Sequence, residues 1–430
     1  MEIAVFWAFL FALLFVGVPI AFAISAGALA LMLLFIEGMP IKGMLVVMVQ
    51  RMFGGADSFP LLAIPLFFLA GALMDRGGLS ERLVRFASAL VGWVRGGLLM
   101  VVILAEMLLA AVAGSPSAVA AAIGSVVAPS LKEKGYEPRF STAVIAAGAT
   151  VGPIIPPSIL LVIFGSLANV SIAKLFIGGI VPGILMGVAL MALCYLVSVW
   201  RNYPPEERTS FTAILRATGD AILPLAAPGI ILGGIFSGVF TATESAVAAV
   251  LYAIIVGKFV YKALGWKEIV QACYESALGS ARIMFIIAMA SFVGWVLARE
   301  QVPQTMAEYL LSLSQDPLIV LLLINALFLV FGCFIEGIAI MIILLPTIIP
   351  VVEALGIDLV FFGVMIVINL SIGSITPPVG TCLVVASSVT RVPFDKTFKD
   401  IAPFVAVLVL VLLLTVLFPQ FVLGLVNVVM

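Results

Sequence analysis

Two stretches carry the same interruption: GATVGPIIPPS at residues 148–158 and NLSIGSITPPVG at residues 369–380. Each lies inside a long apolar run, and each contains a proline pair, Pro156-Pro157 in the first and Pro377-Pro378 in the second. Proline has no N–H to offer the carbonyl four residues back, so a helix breaks there. Carbonyls near Thr150, Gly152, Ser371 and Gly373 are therefore expected to be free. Inside hydrocarbon, irregular backbone survives only where it lines a cavity or is otherwise satisfied. Free carbonyls and hydroxyls suit a hard cation, and Na⁺ fits that description. The half-helices expected to begin at Pro156 and Pro377 would present unpaired N–H groups and a positive dipole end to an anion. One such kink would read as a proline bend filled by its neighbours. Two at matched positions read as a binding site.

The positions are matched because the chain repeats. Sliding it by 221 residues puts Pro156-Pro157 on Pro377-Pro378, Gly152 on Gly373, Gly135 on Gly356 and Pro129 on Pro350. The same offset, without gaps, puts Pro182 on Pro403 and Gly17-Val18 on Gly238-Val239. The first repeat is placed at 1–200, a cytoplasmic linker at 201–221 and the second repeat at 222–430.

Composition names the solvent. Of 430 residues, 64% are hydrophobic and 10% charged, and the mean hydropathy is +1.33. Soluble domains carry about 25% charged residues, so this is a polytopic chain in a lipid bilayer. A net charge of −1 leaves no basic field for nucleic acid. With 0 histidines and 4 scattered cysteines, a zinc site or disulfide framework is not expected. The acidic start, MEIAVFWAFL, reads as a first span and not as a leader. Apolar runs fall at 3–36 (broken at Gly17-Val18-Pro19), 58–74, 96–131, 139–168, 175–200, 222–238, 240–261, 283–298, 317–352, 358–389 and 401–426. The first is too long for one straight crossing and tight for two. Polar amphipathic pieces at 79–95, 202–220, 264–281 and 300–315 are expected along the interface or between bundles.

Just before each broken helix lies a hairpin. In 96–134 the leg Leu98–Val112 falls short of a hydrocarbon core of about 30 Å. Gly114-Ser115-Pro116-Ser117 then turns the chain, and a small-residue helix leads back towards Lys132. Cytoplasmic charge flanks both ends, which describes a re-entrant hairpin. The second hairpin, 317–355, turns at GCFIEG, residues 332–337. Glu336 there is an acid in an apolar segment, a placement that costs about 2.5–3.5 kcal/mol on insertion scales. It either faces a cavity or caps a helix. Glu106, on the first hairpin leg, raises the same question, and Glu244 in TATES (241–245) reads as a cap.

With a non-crossing hairpin in each half, each half makes five crossings, an odd number, so the second half enters from the opposite face: an inverted repeat. Seventeen Lys and Arg, Arg208 among them, then share one face, and Lys42, Arg51, Lys174 and Arg299 share the other. The first face is cytoplasmic by the positive-inside rule, and both termini lie outside.

These residues resemble the large membrane subunit of tripartite ATP-independent periplasmic (TRAP) transporters, the DctM-like family. The resemblance spans essentially the whole chain through GVPIAFA (17–23), DSFPLLAIPLFFLAG (57–71), AGSPSA (113–118), GATVGPIIPPSI (148–159), GVFTATESA (238–246) and NLSIGSITPPVGT (369–381). It implies an all-α, ion-transporter-like fold of the elevator type, in a bacterial or archaeal cytoplasmic membrane. In such a fold a domain with two hairpins and two broken helices slides against a scaffold. It further implies Na⁺-driven uptake of an organic acid such as a C4-dicarboxylate or sialic acid. The implied partners are a small four-helix DctQ-like membrane subunit and a DctP-like periplasmic binding protein. Carried onto this chain, Ser115, Ser117, Thr150 and Gly152 would form one sodium site, and Glu336, Gly337, Ser371, Gly373 and Thr376 the other. Pro156, Pro157, Ser158, Pro377, Pro378 and Thr381 would line the substrate space.

The nearest rival is a Na⁺- or H⁺-coupled carrier of the same plan that needs no binding protein. A membrane enzyme is opposed by the missing histidines and the lack of a nucleophile–base pair. A channel is opposed by the inverted hairpins. No GxxxxGK[ST] loop is present for ATP.

Overall fold

The computed structural model describes residues 8–10, 12–13, 16–35, 40–203, 205 and 210–430. Arg208 and the beginning of the 3–36 run lie outside them. The chain turns at Val16-Gly17, with Gly17 at φ +88°, and α1 (Ile20–Phe35) starts after Pro19. Next come α2 (Ile41–Ala56), a 3₁₀ turn at Phe59–Leu62, α3 (Ala63–Arg76) and the amphipathic α4 (Leu79–Val91). The first hairpin is α5 (Gly97–Ala113) and α6 (Pro116–Glu133). The first broken helix is α7 (Pro138–Ala149) and α8 (Ile159–Leu167), followed by α9 (Ile172–Trp200). The second half runs α10 (Phe211–Phe236), α11 (Ala242–Ile255), α12 (Trp266–Arg299) and α13 (Val302–Leu313). Its hairpin is α14 (Pro317–Gly332) and α15 (Gly337–Ala354), and its broken helix is α16 (Leu359–Gly373) and α17 (Thr381–Thr390). The last helices are α18 (Phe398–Leu417) and α19 (Gln420–Val429). There is no strand among the described residues. Seven of their helices are long and apolar enough to cross a membrane, and the chain is an all-α integral membrane protein.

The 221-residue offset reappears in the helices. The starts of α1 and α11, α4 and α13, α5 and α14, α6 and α15, α7 and α16, and α8 and α17 each agree with it to within two residues. Where the halves differ, a local cause is visible. In the first half Asp57-Ser58 and Pro60 separate α2 from α3, whereas the second half runs through as the 34-residue α12, about 51 Å long.

Four expectations need correction. First, 264–281 is not a separate interfacial piece: it is the N-terminal half of α12, burying Ala272, Ser276 and Ser280. Its polar residues lowered the hydropathy without breaking the helix. Second, the linker placed at 201–221 is only partly connection: its second half, 211–221, is the opening of α10. Arg216 and Asp220 hid three helical turns. Third, α2 went unnoticed because Lys42, Gln50 and Arg51 dilute its apolar residues, although it packs along α12. Fourth, 401–426 is two helices. Pro419 excludes Phe418 from helical geometry (φ −125°, ψ 78°), so the chain bends there.

Packing sorts the helices into two groups. Helices α1, α2 and α3 pack on α12, α3 also on α11, and α4 on α10. The hairpins and broken helices form the other group, interlocked across the repeats: α17 of the second half packs against both α6 and α7 of the first, and α7 packs against α18. The groups meet through α3 and α4 on α5, and through α12 and α13 on α15.

Candidate functional site

Both hairpin tips and both breaks converge. Gly114 at φ +60° ends α5, and Ser115 leads into Pro116 at the first position of α6. At the other tip Glu336 stands at the N-cap of α15, with its side chain making no capping bond. Between the two tips lies a cavity of about 90 Å³. Its polar lining comes from Ser115 and Ser117, from Glu336, and from Ser371, Ser374 and Thr381 at the second break. Gly337 also lines it, as do Phe68 of α3 and Ile283 of α12 from the other helix group.

Both breaks are real, but their backbone is less bare than its prolines suggest. After α7 the chain continues in tight turns: Val151 N donates to Gly148 O and Gly152 N to Ala149 O, each at 3.1 Å. After α16, Thr376 N donates to Gly373 O at 3.1 Å and the Ser374 hydroxyl to Ser371 O at 2.6 Å. The expected free carbonyls of Ser371 and Gly373 are thus engaged. A carbonyl has two lone pairs, so each keeps acceptor capacity. The rear half-helices begin later than Pro156 and Pro377, at Ile159 and Thr381. Ser158 caps α8, accepting from Leu161 N at 3.2 Å and donating to Pro153 O. Both Pro-Pro bonds are cis.

Glycines set the close approaches. A Cβ on Gly373 would lie 2.7 Å from Gly332 Cα, so hairpin two rests on the second break backbone to backbone. Val379 N donates to Cys333 O across the same contact at 3.2 Å. A Cβ on Gly179 of α9 would meet Ile154 O at 2.4 Å, which seats the first break against α9.

Of the sequence-predicted residues, Ser115, Ser117, Glu336, Gly337, Ser371 and Thr381 share the cavity. Thr150, Gly152, Gly373 and Thr376 stand in the breaks without lining it. The Thr150 hydroxyl donates to Ala147 O at 2.6 Å and that of Thr376 to Ile372 O at 2.8 Å. Pro156, Pro157 and Ser158 are buried outside it, and Pro378 is exposed. Glu244 forms a capping box with Thr241. Ser374 and Cys382 were missed. Ser374 lines the cavity, and its carbonyl accepts from Cys382 N at 2.9 Å, which joins the second break to the start of α17. Asn369 opens the second-break motif. Its amide donates to Asn325 O and Oδ1, both at 2.8 Å, clamping α16 to the first leg of hairpin two. Glu106 is wholly buried and shows no hydrogen-bond partner among the described residues, its Oε2 fitting against Gly148. These residues group no three metal-ligating His, Cys, Asp or Glu side chains.

Two hairpins and two broken helices, repeated at one offset in an all-α membrane protein, set a small polar cavity between the hairpin tips. The fold agrees with the solved Alcanivorax borkumensis YdaH transporter, at TM-score 0.64 and 17% identity over 89% of this chain and 90% of that one. Residues 7–421 match the family model for the tripartite ATP-independent periplasmic transporter, DctM component, and the chain belongs to that family. It is 40% identical to the Vibrio cholerae sialic acid TRAP transporter large permease protein SiaM, over 95% of both chains. It is 39% identical to the Pseudomonas aeruginosa C4-dicarboxylate TRAP transporter large permease protein DctM, over 88% of both. The protein is a transporter permease subunit and not an enzyme.

Proposed function

We propose that this subunit takes up an organic acid together with Na⁺ across the inner membrane, by an elevator movement. The observation that carries the proposal is the cavity where Ser115, Ser117, Glu336, Ser371 and Thr381 converge from both hairpin tips and the second break. Hydroxyls, a carboxylate and turn carbonyls are the donors a hard cation takes. The acid would sit beside the bound cations, its charge met by them and by hydroxyls. In this reading the hairpins and broken helices move as one body, α1–α4 and α10–α13 stay as scaffold, and the repeats are inverted with both termini outside.

The driving force is sufficient. One charge moved through 100 mV supplies about 2.3 kcal/mol, and a tenfold gradient takes about 1.4 kcal/mol. One net inward charge thus sustains an accumulation on the order of fortyfold before the sodium gradient adds to it.

A small four-helix membrane subunit and a periplasmic binding protein are its partners in this proposal, a reading supported by membership of a tripartite periplasmic transporter family. Substrate candidates are the acids of the two relatives, sialic acid and C4-dicarboxylates. The test is uptake of each into proteoliposomes carrying both membrane subunits, with and without Na⁺ and the binding protein. Saturable, Na⁺-dependent uptake that requires the binding protein is expected. Flux that is linear in concentration and indifferent to Na⁺ would overturn the proposal.

A further inference from the structure

We propose that Phe68 is the barrier between the site and an exit crevice on the face that bears Arg76, a reading that rests on the cavity above being the transport site. The ring lines two cavities at once: the 90 Å³ cavity between the hairpin tips and a larger one of about 410 Å³ beside it. The larger cavity runs between α3, α6 and α12. Along α3 the lining passes from Phe68 through Gly71 and Ala72 to Asp75, one helical face on which only the first side chain is bulky. The facing wall of α6 is Ala118, Ala121 and Ala122, so that wall leaves space instead of filling it. α12 offers Gly279 behind the ring, with Phe68 Cε1 3.7 Å from where a Cβ would stand. The aromatic ring is thus a bulky group seated against a glycine at the junction of two spaces.

The chemistry of the crevice fits an exit. Its far end carries Asp75, which accepts from the Ser80 hydroxyl at 2.6 Å, and Glu275. The neighbouring cation, Arg76, is bound to Glu275 at 2.6 Å. No Lys or Arg is among the residues that line the crevice, and Arg76 beside it is already paired with Glu275, so the crevice offers an organic anion no fixed partner. The crevice therefore serves release and is not a second binding site. A swing of the ring about its side-chain torsions, away from Gly279, is the movement that would join the two spaces.

The test reads accessibility alone, without substrate, sodium gradient or partner. Ser115→Cys is introduced into the full chain carrying Cys194→Ser, Cys273→Ser, Cys333→Ser and Cys382→Ser, and reconstituted in vesicles. A membrane-impermeant methanethiosulfonate reagent is then added from one side or the other. Phe68→Ala is expected to speed labelling from the Arg76 face by about tenfold, equivalent to about 1.4 kcal/mol off the opening step. Phe68→Trp is expected to slow it, and labelling from the opposite face is expected to stay unchanged. Phe68→Leu, with an intermediate rate, stands in if the alanine variant does not fold. Equal rates in all variants, or a change confined to the opposite face, would overturn the assignment. Failure of Na⁺-dependent uptake would not alter these labelling rates, so the two readings fail separately.

Discussion

Replacing Gly373 by alanine is expected to lift the second hairpin from the second break. A Cβ there would lie 2.7 Å from Gly332 Cα, 3.0 Å from its carbonyl carbon and 3.1 Å from its oxygen. All three are backbone atoms at the C-terminal end of α14, so no side chain can swing aside. Relief requires the helices to part, and the Val379 N–Cys333 O bond at 3.2 Å is the first contact to stretch. Overpacking of a filled interior costs about 1–3 kcal/mol, and a lost buried hydrogen bond adds about 1 kcal/mol. A destabilisation of about 2–4 kcal/mol follows from these two terms. Because Ser371, Ser374 and Glu336 meet across this contact, the stabilisation by Na⁺ that the proposed coupling predicts should shrink as well. The assay is thermal unfolding of the detergent-solubilised protein, with Na⁺ titrated against K⁺. Gly332→Ala, whose Cβ would meet Gly373 Cα at 3.0 Å, should act in the same direction. An unchanged melting temperature with an intact Na⁺ response in Gly373→Ala would refute the backbone-to-backbone docking.

Other substitutions separate structural from binding roles. Asn369→Ala removes the donor from buried Asn325 and should lower stability by about 1–2 kcal/mol, seen as a lower melting temperature. Ser158→Ala removes the cap of α8 and should cost about 1 kcal/mol in unfolding experiments. It should leave the KM for substrate unchanged, whereas a direct contact with substrate would raise it. Arg201, bonded to Glu137, to Asp400 at 3.2 Å and lying over the Phe140 ring at 4.6 Å, joins α9, α7 and α18. It is partly exposed, so Arg201→Ala should cost only about 1 kcal/mol, and less in high salt when unfolding is repeated there.

What could be read from the residues was what proline, glycine and length determine locally. Pro156-Pro157 and Pro377-Pro378 located both breaks, Gly114-Ser115-Pro116 located one hairpin turn, and a single offset paired the halves. Hydropathy misplaced the boundaries, because Arg216, Asp220 and Arg282 lower a running average while leaving helical hydrogen bonds intact. It also passed over α2, whose partner α12 lies far along the chain. The polar lining was partly legible: Ser115, Ser117, Glu336, Ser371 and Thr381 sit in recognisable motifs. Ser374, inside one of those motifs, and Cys382 just beyond it were not picked out, because only the folded break brings Ser374 to the cavity and Cys382 N onto its carbonyl. Ser158 shows the converse. A hydroxyl after a break looks available, yet the new helix it opens takes it as a cap. Phe68 and Ile283 had no local signal, since only packing of the two helix groups brings them to the cavity.

Equilibrium binding of radiolabelled sodium to the purified protein bears most directly on the central claim, that oxygens gathered between two hairpin tips and the second helix break hold the coupling ion. Saturable binding, not displaced by K⁺ and strongly weakened in Glu336→Gln and in Ser371→Ala, is the expected result. Absence of saturable binding, or binding equal in the unmodified protein and both variants, would contradict it.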